Sequence, residues 1–106
     1  MMQDFTTENW TDSDGNPDGG YAKGVGMDIT WQQGALGRGT DRLEPNGAFV
    51  ETVIKAAKTR IEFYQLSRFS CRENAIAITK LDEALHWLNH RTSRRECDGT
   101  EGTHEK

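Results

Sequence analysis

Hydrophobic residues in the second half of the chain recur at helical spacing and predict a first long helix. Apolar positions return every three or four residues, which places them on one stripe of a helix surface. The helix is predicted to begin at Asn46, whose side chain is a favourable N-cap, and to end near Leu66. The stripe comprises Val50, Val53, Ile54, Ala57, Ile61 and Tyr64.

A second helix follows, and its start and stop signals are clearer. Ser70 and Glu73 form the S-x-x-E pattern of a capping box, and the helix is predicted to stop near Asp98 and Gly99. Its apolar residues step by four and three, as in a helix that packs lengthwise on another. A linker of about five residues makes the two helices antiparallel. The seam consists of Asn74, Ile78, Leu81, Leu85 and Leu88, continued by Arg91, Thr92 and Arg95.

The first half of the chain is rich in Asp, Asn and Gly, which favour turns. Two aromatic patches, Phe5–Trp10 and Gly26–Gln32, are predicted to pair as strands across the glycine-rich stretch between them. The predicted fold class is α+β, a small antiparallel β-element followed by a long two-helix hairpin. We expect a Gly/Asp-rich segment with short strands and a loop at 1–45, and a hairpin domain with a short tail at 46–106.

Composition changes this picture by suggesting partners. Hydrophobic residues make up 34% of the chain, and two helices cannot bury both flanks of their stripes alone, so the seam predicts a homo-oligomer. The formal charge is −4, yet His86–Arg95 holds three arginines, two histidines and no acid. Such a focused basic patch suits a small anionic ligand better than a long nucleic acid.

Cysteine placement and hydropathy indicate the compartment. A bridge between Cys71 and Cys97 would span most of a helix, so both are expected to be reduced thiols. The chain has no apolar run near the ~18 residues of a membrane span, and the acidic amino terminus is unlike a signal peptide. We therefore expect a cytoplasmic protein that makes no contact with membranes.

Polar and aromatic residues near the interhelix turn are candidates for ligand contacts, and each has a structural alternative. Arg72 beside a helix start suits a phosphate, or is a solvated surface arginine. Asn74 on the seam either sets the register of an interface or contacts a ligand. Tyr64 and Phe69 either belong to a core or stack on a purine.

At the far end of the second helix, Arg91 and Arg95 share a face one turn apart. Their repulsion favours an anion between them, although bases near a helix carboxyl end are also mildly stabilising.

Catalytic patterns are weak by comparison. His86 and His90 have the spacing for a metal but no third ligand, and no nucleophile motif is present, so we expect no cofactor.

Four motifs, FYQ, CRENAIAITKLDEAL, WLNHRT and EGTH, resemble the hairpin domain shared by type-one Thoeris anti-defence proteins and phage anti-CBASS sponges. The similarity covers about Asn46 to His104, and ITWQQGALG upstream makes the Thoeris branch the closer match. The resemblance implies a phage protein, acting in the host cytoplasm, that binds cyclic ADP-ribose isomers, and possibly cyclic di- or trinucleotides, without cleaving them. It also implies dimers to hexamers of hairpins.

The same resemblance implies roles for individual residues. Tyr64 would stack on adenine, with Phe69 nearby, and Asn74 would hydrogen-bond the base or ribose. Arg72, with Arg38 or Arg42, would serve a cyclic-oligonucleotide pocket. Arg91 and Arg95 would grip the pyrophosphate, and Thr103 and His104 would close nearby. The sequence departs from the family pattern at residues 97–100, where Cys-Asp-Gly-Thr replaces a more basic and apolar linker.

Three hypotheses follow from these patterns. The first is a sponge that sequesters a cyclic nucleotide signal. The second is an enzyme that degrades the same nucleotide, for which His86, His90 and His104 are the available bases. The third is an oligomeric scaffold or peptide-binding hairpin in which the arginines serve solubility alone.

Overall fold

The computed structural model of the protein describes residues 1–105 and shows a three-stranded antiparallel sheet followed by two helices. The predicted α+β class with a helical hairpin is therefore confirmed. A short 3-10 turn, Gly39–Asp41, lies in the loop between sheet and hairpin. The strands are β1 Phe5–Thr11, β2 Pro17–Gly24 and β3 Met27–Trp31, and the helices are α1 Val50–Gln65 and α2 Arg72–Asp98.

The chain divides into two compact units. One contains Met1–Phe49 together with the segment from Thr100 onward, and the other is the hairpin, Val50–Gly99. The residues after α2 therefore group with the sheet. The division of the chain into domains at residue 45 stays a prediction.

The glycine-rich stretch between the two aromatic patches is a strand, and the predicted pairing of Phe5–Trp10 with Gly26–Gln32 is wrong. The strand order is β1-β2-β3, so each patch pairs with β2 and not with the other. Within this strand a glycine permits close approach of β1 and β2. At Gly20 φ is +140°, and a Cβ added there would overlap the carbonyl oxygen of Glu8.

The two faces of the sheet differ in chemistry. On one face Met27, Ile29 and Trp31 alternate with exposed residues, as predicted, and each is half-buried. Ala22, paired with Ile29, is 7% exposed. This face therefore carries the buried and half-buried apolar side chains of β2 and β3.

On the other face, a carboxylate ties two aromatic residues together. Glu8 accepts hydrogen bonds from Trp10 Nε1 at 2.7 Å and from the Tyr21 hydroxyl at 3.1 Å. Because Glu8 accepts this hydrogen bond and adds negative charge, the pKa of Tyr21 is raised. Trp10 and Tyr21 also meet edge to face, with centroids 6.3 Å apart.

The start of α1 differs from the prediction, because Asn46 does not cap it. The helix begins at Val50, and Asn46 is used to tie the preceding loop to the end of β3. Its side chain accepts from the Gln33 backbone N–H at 2.8 Å and donates to the Gln33 carbonyl at 3.1 Å. Gln32 Oε1 accepts from the Asn46 backbone N–H at 2.8 Å. The side-chain amides of Gln32 and Asn46 thus satisfy backbone groups at the end of β3, and Asn46 is used there and not as a helix cap.

The start of α2 also differs, and the predicted capping box is wrong. The N-cap is Cys71, one residue later than expected, and no side chain caps the helix. The Gln65 side chain supplies the missing hydrogen bonds by bracketing Cys71. Its Oε1 accepts from the Cys71 backbone N–H at 2.9 Å, and its Nε2 donates to the Cys71 carbonyl at 3.1 Å. The predicted stop is confirmed, since Gly99 ends the helix.

The helices of the hairpin pack along the predicted seam but enclose little. Lys58 of α1 reaches Asp82 of α2 at 2.7 Å, which together with the six-residue turn establishes their antiparallel course. No side chain of either helix is fully buried. All five predicted seam residues of α2 are half-buried: Asn74, Ile78, Leu81, Leu85 and Leu88.

We predict that Gly20→Ala lowers the free energy of unfolding by more than ~2 kcal/mol, because the added methyl group meets backbone and the left-handed φ is unfavourable. Gly26→Ala is the matched control, with φ at +74° and open space around a Cβ. It is expected to cost only about 1 kcal/mol. Chemical denaturation of both variants measures the difference, and equal losses would contradict the close approach at Gly20.

We also predict that Gln65→Ala destabilises the hairpin by about 1 to 3 kcal/mol, because it removes two hydrogen bonds at the turn. Ser70→Ala should change the stability by less than about 0.5 kcal/mol, since Ser70 does not cap α2. Thermal denaturation followed by helical circular dichroism compares them. A loss of stability for Ser70→Ala as large as that for Gln65→Ala would show that Ser70 caps α2 after all.

Candidate functional site

The predicted ligand-binding residues of the hairpin lie in two clusters at opposite ends of α2. Tyr64, Phe69, Arg72 and Asn74 surround the interhelix turn, whereas Arg91 and Arg95 lie near the carboxyl end. Nineteen residues separate Arg72 from Arg91, which is about 29 Å at 1.5 Å per residue. A single hairpin therefore does not bring both clusters onto one small ligand.

Aromatic side chains dominate the turn. Tyr64 is 39% exposed and Phe69 is 64% exposed, so neither belongs to a core of the hairpin. The Arg68 guanidinium lies 4.7 Å from the centroid of the Phe69 ring. Exposed rings beside arginines suit stacking on a base, and the role of Tyr64 and Phe69 in ligand binding stays a prediction.

Asn74 is half-buried in the first turn of α2, close to these rings. Its Nδ2 donates to the Phe69 carbonyl at 3.4 Å, which links the helix to the turn. Within residues 1–105 its Oδ1 accepts no hydrogen bond. The amide therefore keeps an acceptor available for a base or ribose hydroxyl, or for an asparagine of another chain.

Arg60, which lies off the apolar stripe of α1, contacts two aromatic rings, and the sequence patterns did not indicate these contacts. Its guanidinium carbon lies 5.1 Å from the Tyr64 ring centroid and 5.3 Å from that of Phe63. Its Nε also donates to the Tyr64 hydroxyl at 3.2 Å. The spacing i, i+3, i+4 is the signal in the sequence, because residues at that spacing are neighbours on a helix.

The far end of α2 extends beyond α1. Because Lys58 meets Asp82, the first residue of α1, Val50, lies beside about residue 90. The last two turns of α2 therefore carry Arg91 and Arg95 past the end of α1. The seam was predicted to continue through both arginines. Arg95 is half-buried, as the seam residues are, whereas Arg91 is exposed.

An exposed tryptophan precedes Arg91 by one helical turn. Trp87 is 66% exposed, and the rings of His86 and His90 meet its edges with centroids 5.7 and 5.9 Å away. The basic patch predicted from charge thus contains a broad aromatic surface.

Residues 1–105 contain no group of three or more metal-ligating side chains in reach of one ion.

Thr103 and His104 belong to the unit that contains the sheet, where local contacts hold both. The Thr103 hydroxyl donates to the Thr100 carbonyl at 2.5 Å and accepts from the Glu105 N–H at 3.2 Å. His104 Nδ1 lies 4.0 Å from Asp12 Oδ2. Their proposed closure over a pyrophosphate stays a prediction.

The same segment is anchored on the loop after β3. Arg42 forms a two-pronged ion pair with Glu101, at 2.7 and 2.8 Å, and the Gly37 N–H donates to the Gly102 carbonyl at 2.8 Å. The residues predicted to form a short tail are thus held in place. Arg42 already has a carboxylate partner. To bind a ligand in the predicted cyclic-oligonucleotide pocket, Arg42 would have to release Glu101.

Hydrogen bonds also fix the charge of Asp12, which faces His104. The backbone N–H of Asn16 donates to Asp12 Oδ1 at 3.0 Å and that of Asp14 at 2.9 Å. The Asn16 bond is the main reason that the pKa of Asp12 is lowered, and nearby His104 adds to it. Asp12 is therefore ionised at neutral pH and places a negative charge beside His104.

A groove of about 930 Å³ runs between α1 and α2 and is open to solvent. The Lys58–Asp82 ion pair crosses it, and because Asp82 accepts a hydrogen bond from the ammonium group, the pKa of Lys58 is raised. Glu51, Lys55 and His86 also line it. Charges of both signs alternate there, so the groove has no preference for an anion comparable to that of the arginines near the helix ends.

Neither helix among the described residues is long and apolar enough to span a membrane. This finding concerns residues 1–105 only.

Comparison with known proteins agrees with the resemblance found in the sequence. The family model described as "Acb2/Tad1, hairpin domain" matches residues 24–93, from the end of β2 through most of α2. The protein "Thoeris anti-defense 1" of Bacillus phage SBSphiJ7 is 59% identical over 61 residues. That match covers 58% of this chain and 43% of the relative, so the chain spans less than half the length of the relative it matches.

The family match takes in β3, the loop that carries Asn46, α1 and the apolar seam of α2. It also includes Tyr64, Asn74 and Arg91, whereas Arg95 lies just beyond it. The matched region covers well over half of the chain and confirms the resemblance. The chain belongs to the Acb2/Tad1 hairpin-domain family.

Proposed function

We propose that this protein is a phage counter-defence protein that binds a cyclic nucleotide second messenger in the host cytoplasm and withholds it from its effector. The observation that carries the proposal is the 59% identity, over 61 residues, to a protein named Thoeris anti-defense 1. The ligand we propose is a cyclic ADP-ribose isomer such as glyco-cyclic ADP-ribose. A cyclic di- or trinucleotide is the second candidate, for a pocket that includes Arg72.

The chemistry of both helix ends supports this ligand class. A cyclic ADP-ribose contains an adenine ring and a doubly charged pyrophosphate. Two guanidinium groups one turn apart, on Arg91 and Arg95, match a pyrophosphate because each can donate two parallel hydrogen bonds. The exposed Tyr64 ring and the amide of Asn74 match the adenine and its ribose.

The separation of these groups supports a site shared between chains. Because the turn cluster and the arginine pair lie about 29 Å apart along α2, we infer that Tyr64 and Asn74 of one chain meet Arg91 and Arg95 of another. An antiparallel arrangement of two hairpins brings such ends together. A homo-oligomer, from a dimer to a hexamer, is therefore part of the proposal.

Sequestration without cleavage requires that no side chain attack the ligand. His86 and His90 contact Trp87 edge to face, and His104 faces Asp12 in the other unit. Each has a structural neighbour that accounts for its position. We propose that the protein acts by binding alone, as a non-catalytic protein with no cofactor.

We predict that replacing Arg91 and Arg95 with glutamine weakens binding of glyco-cyclic ADP-ribose by about 2 to 5 kcal/mol, because a desolvated pyrophosphate loses its charged partners. Isothermal titration calorimetry measures the affinity, and chromatography of the denatured complex identifies the released ligand. The wild-type protein is expected to release it unchanged.

Arg94→Gln is the control for charge in the same patch, since Arg94 is exposed and lies about 100° around the helix from the half-buried Arg95. It should bind the nucleotide within about twofold of the wild-type affinity. Equal losses for all arginine variants would indicate general attraction of charge. Recovery of ADP-ribose in place of the cyclic ligand would establish an enzyme, and an absence of binding by the wild-type protein would favour a scaffold.

A further inference from the structure

The carboxyl-terminal turn of α1 contains an arginine between two aromatic rings. The Arg60 guanidinium carbon lies 5.3 Å from the Phe63 ring centroid and 5.1 Å from that of Tyr64. The two ring centroids are 6.4 Å apart, with an angle of 58° between the planes. One cation therefore contacts a face of each ring.

We propose that Arg60 is a positioning residue that holds the Tyr64 ring so that its opposite face is presented to the purine of a nucleotide ligand. This inference rests on the proposed function, in which Tyr64 stacks on adenine. It assigns to Arg60 a preference for ligands that carry a purine over anions that carry only phosphate.

The geometry restrains both torsions of the tyrosine side chain. Contact of the guanidinium with the ring restricts rotation about the Cβ–Cγ bond, and the hydrogen bond from Nε to the hydroxyl, at 3.2 Å, holds the far end of the ring. The residues are four apart on a helix, so the backbone sets their separation. Phe63, without a hydroxyl, has only the first of these restraints.

Exposure argues that this arrangement serves a ligand and not a core. Phe63 is 58% exposed and Tyr64 is 39% exposed, so the rings bury little against the hairpin itself. Fixing an exposed side chain costs conformational entropy, and a ligand that stacks on a ring already fixed loses less entropy on binding. Such preorganisation strengthens binding without any direct contact between Arg60 and the base.

The charge of Arg60 adds a preference for the ligand class. A cation on one face polarises the ring, and a purine on the other face extends the stack. Every nucleobase has a flat π surface, but the larger purine covers more of a tyrosine ring than a pyrimidine does. A phosphate without a base gains nothing from the ring.

The test compares Arg60→Gln and Arg60→Lys with Lys80→Gln, using glyco-cyclic ADP-ribose as the probe in isothermal titration calorimetry. Arg60→Gln should weaken binding by about three- to tenfold. Lysine keeps the charge but lacks the planar group that spans ring and hydroxyl, so it should not restore full affinity. Lys80→Gln removes the same charge from a 69% exposed side chain and should change affinity by less than about twofold.

A double-mutant cycle with Tyr64→Phe separates positioning from a general loss of stability. Tyr64→Phe removes the hydroxyl that Arg60 holds and should weaken binding by about threefold. In Arg60→Gln the same change should have no further effect. Multiplicative losses would overturn the positioning role, as would a thermal midpoint of Arg60→Gln lowered in step with its affinity.

Tyr64→Ala distinguishes this inference from the proposed function. If it weakens binding by about fivefold or more while Arg60→Gln binds as the wild type does, the positioning role is overturned and the stacking site stands. If the wild-type protein does not bind the nucleotide at all, both are overturned. Loss on Arg60→Gln with retention on Lys80→Gln supports both.

Discussion

Burial of apolar surface usually supplies most of the free energy of folding, and a single copy of this chain buries little of it. Among residues 1–105 the only apolar side chain that is buried is Ala22, at 7% exposure. The seam of α2 is half-buried, half of the predicted α1 stripe is exposed, and large apolar side chains such as Leu66, at 89%, and Trp87, at 66%, are exposed to solvent. Association with further copies would cover these side chains, which is why oligomerisation is part of the proposed function.

Within one copy, local hydrogen bonds compensate for the small core. The Gln65 amide brackets the Cys71 peptide at the hairpin turn, and the Asn46 and Gln32 amides join a loop to the end of β3. In the same unit Arg42 and Glu101 fasten the segment after α2. Each contact gives a backbone or charged group a hydrogen-bond partner within the chain. The result is a hairpin turn and a carboxyl-terminal segment that are held in place by polar contacts.

Much of the fold was predictable from hydropathy, because amphipathic spacing reports directly on which face of a helix is covered. The seam from Asn74 to Leu88 follows from this periodicity, and the end of α2 follows from Gly99, because glycine readily adopts the left-handed conformation found there. Strand β2 was not predictable in the same way. Its glycines read as turns because no side-chain pattern reveals that Gly20 is needed for close approach to β1.

Side-chain hydrogen bonds were the other source of error. Asn46 and Ser70 are both common helix caps, yet longer amides at Gln32 and Gln65 made the decisive bonds. A propensity describes an isolated helix end, whereas the neighbouring chain determines which partner is closest. For the candidate site, residue types and spacing select Tyr64 and the arginine pair as candidates, and their roles in ligand binding stay predictions. The Arg60–Tyr64 contact required the structure, because its distances depend on side-chain rotamers.

In the proposed function, the ligand site belongs to more than one chain and binding is the protein's sole action. Native mass spectrometry of the full chain with glyco-cyclic ADP-ribose tests both statements in one measurement. The expected result is an oligomer that carries ligand of unchanged mass, with ligand absent from any monomer. Ligand bound to the monomer, or bound nucleotide heavier by one water molecule, would contradict it.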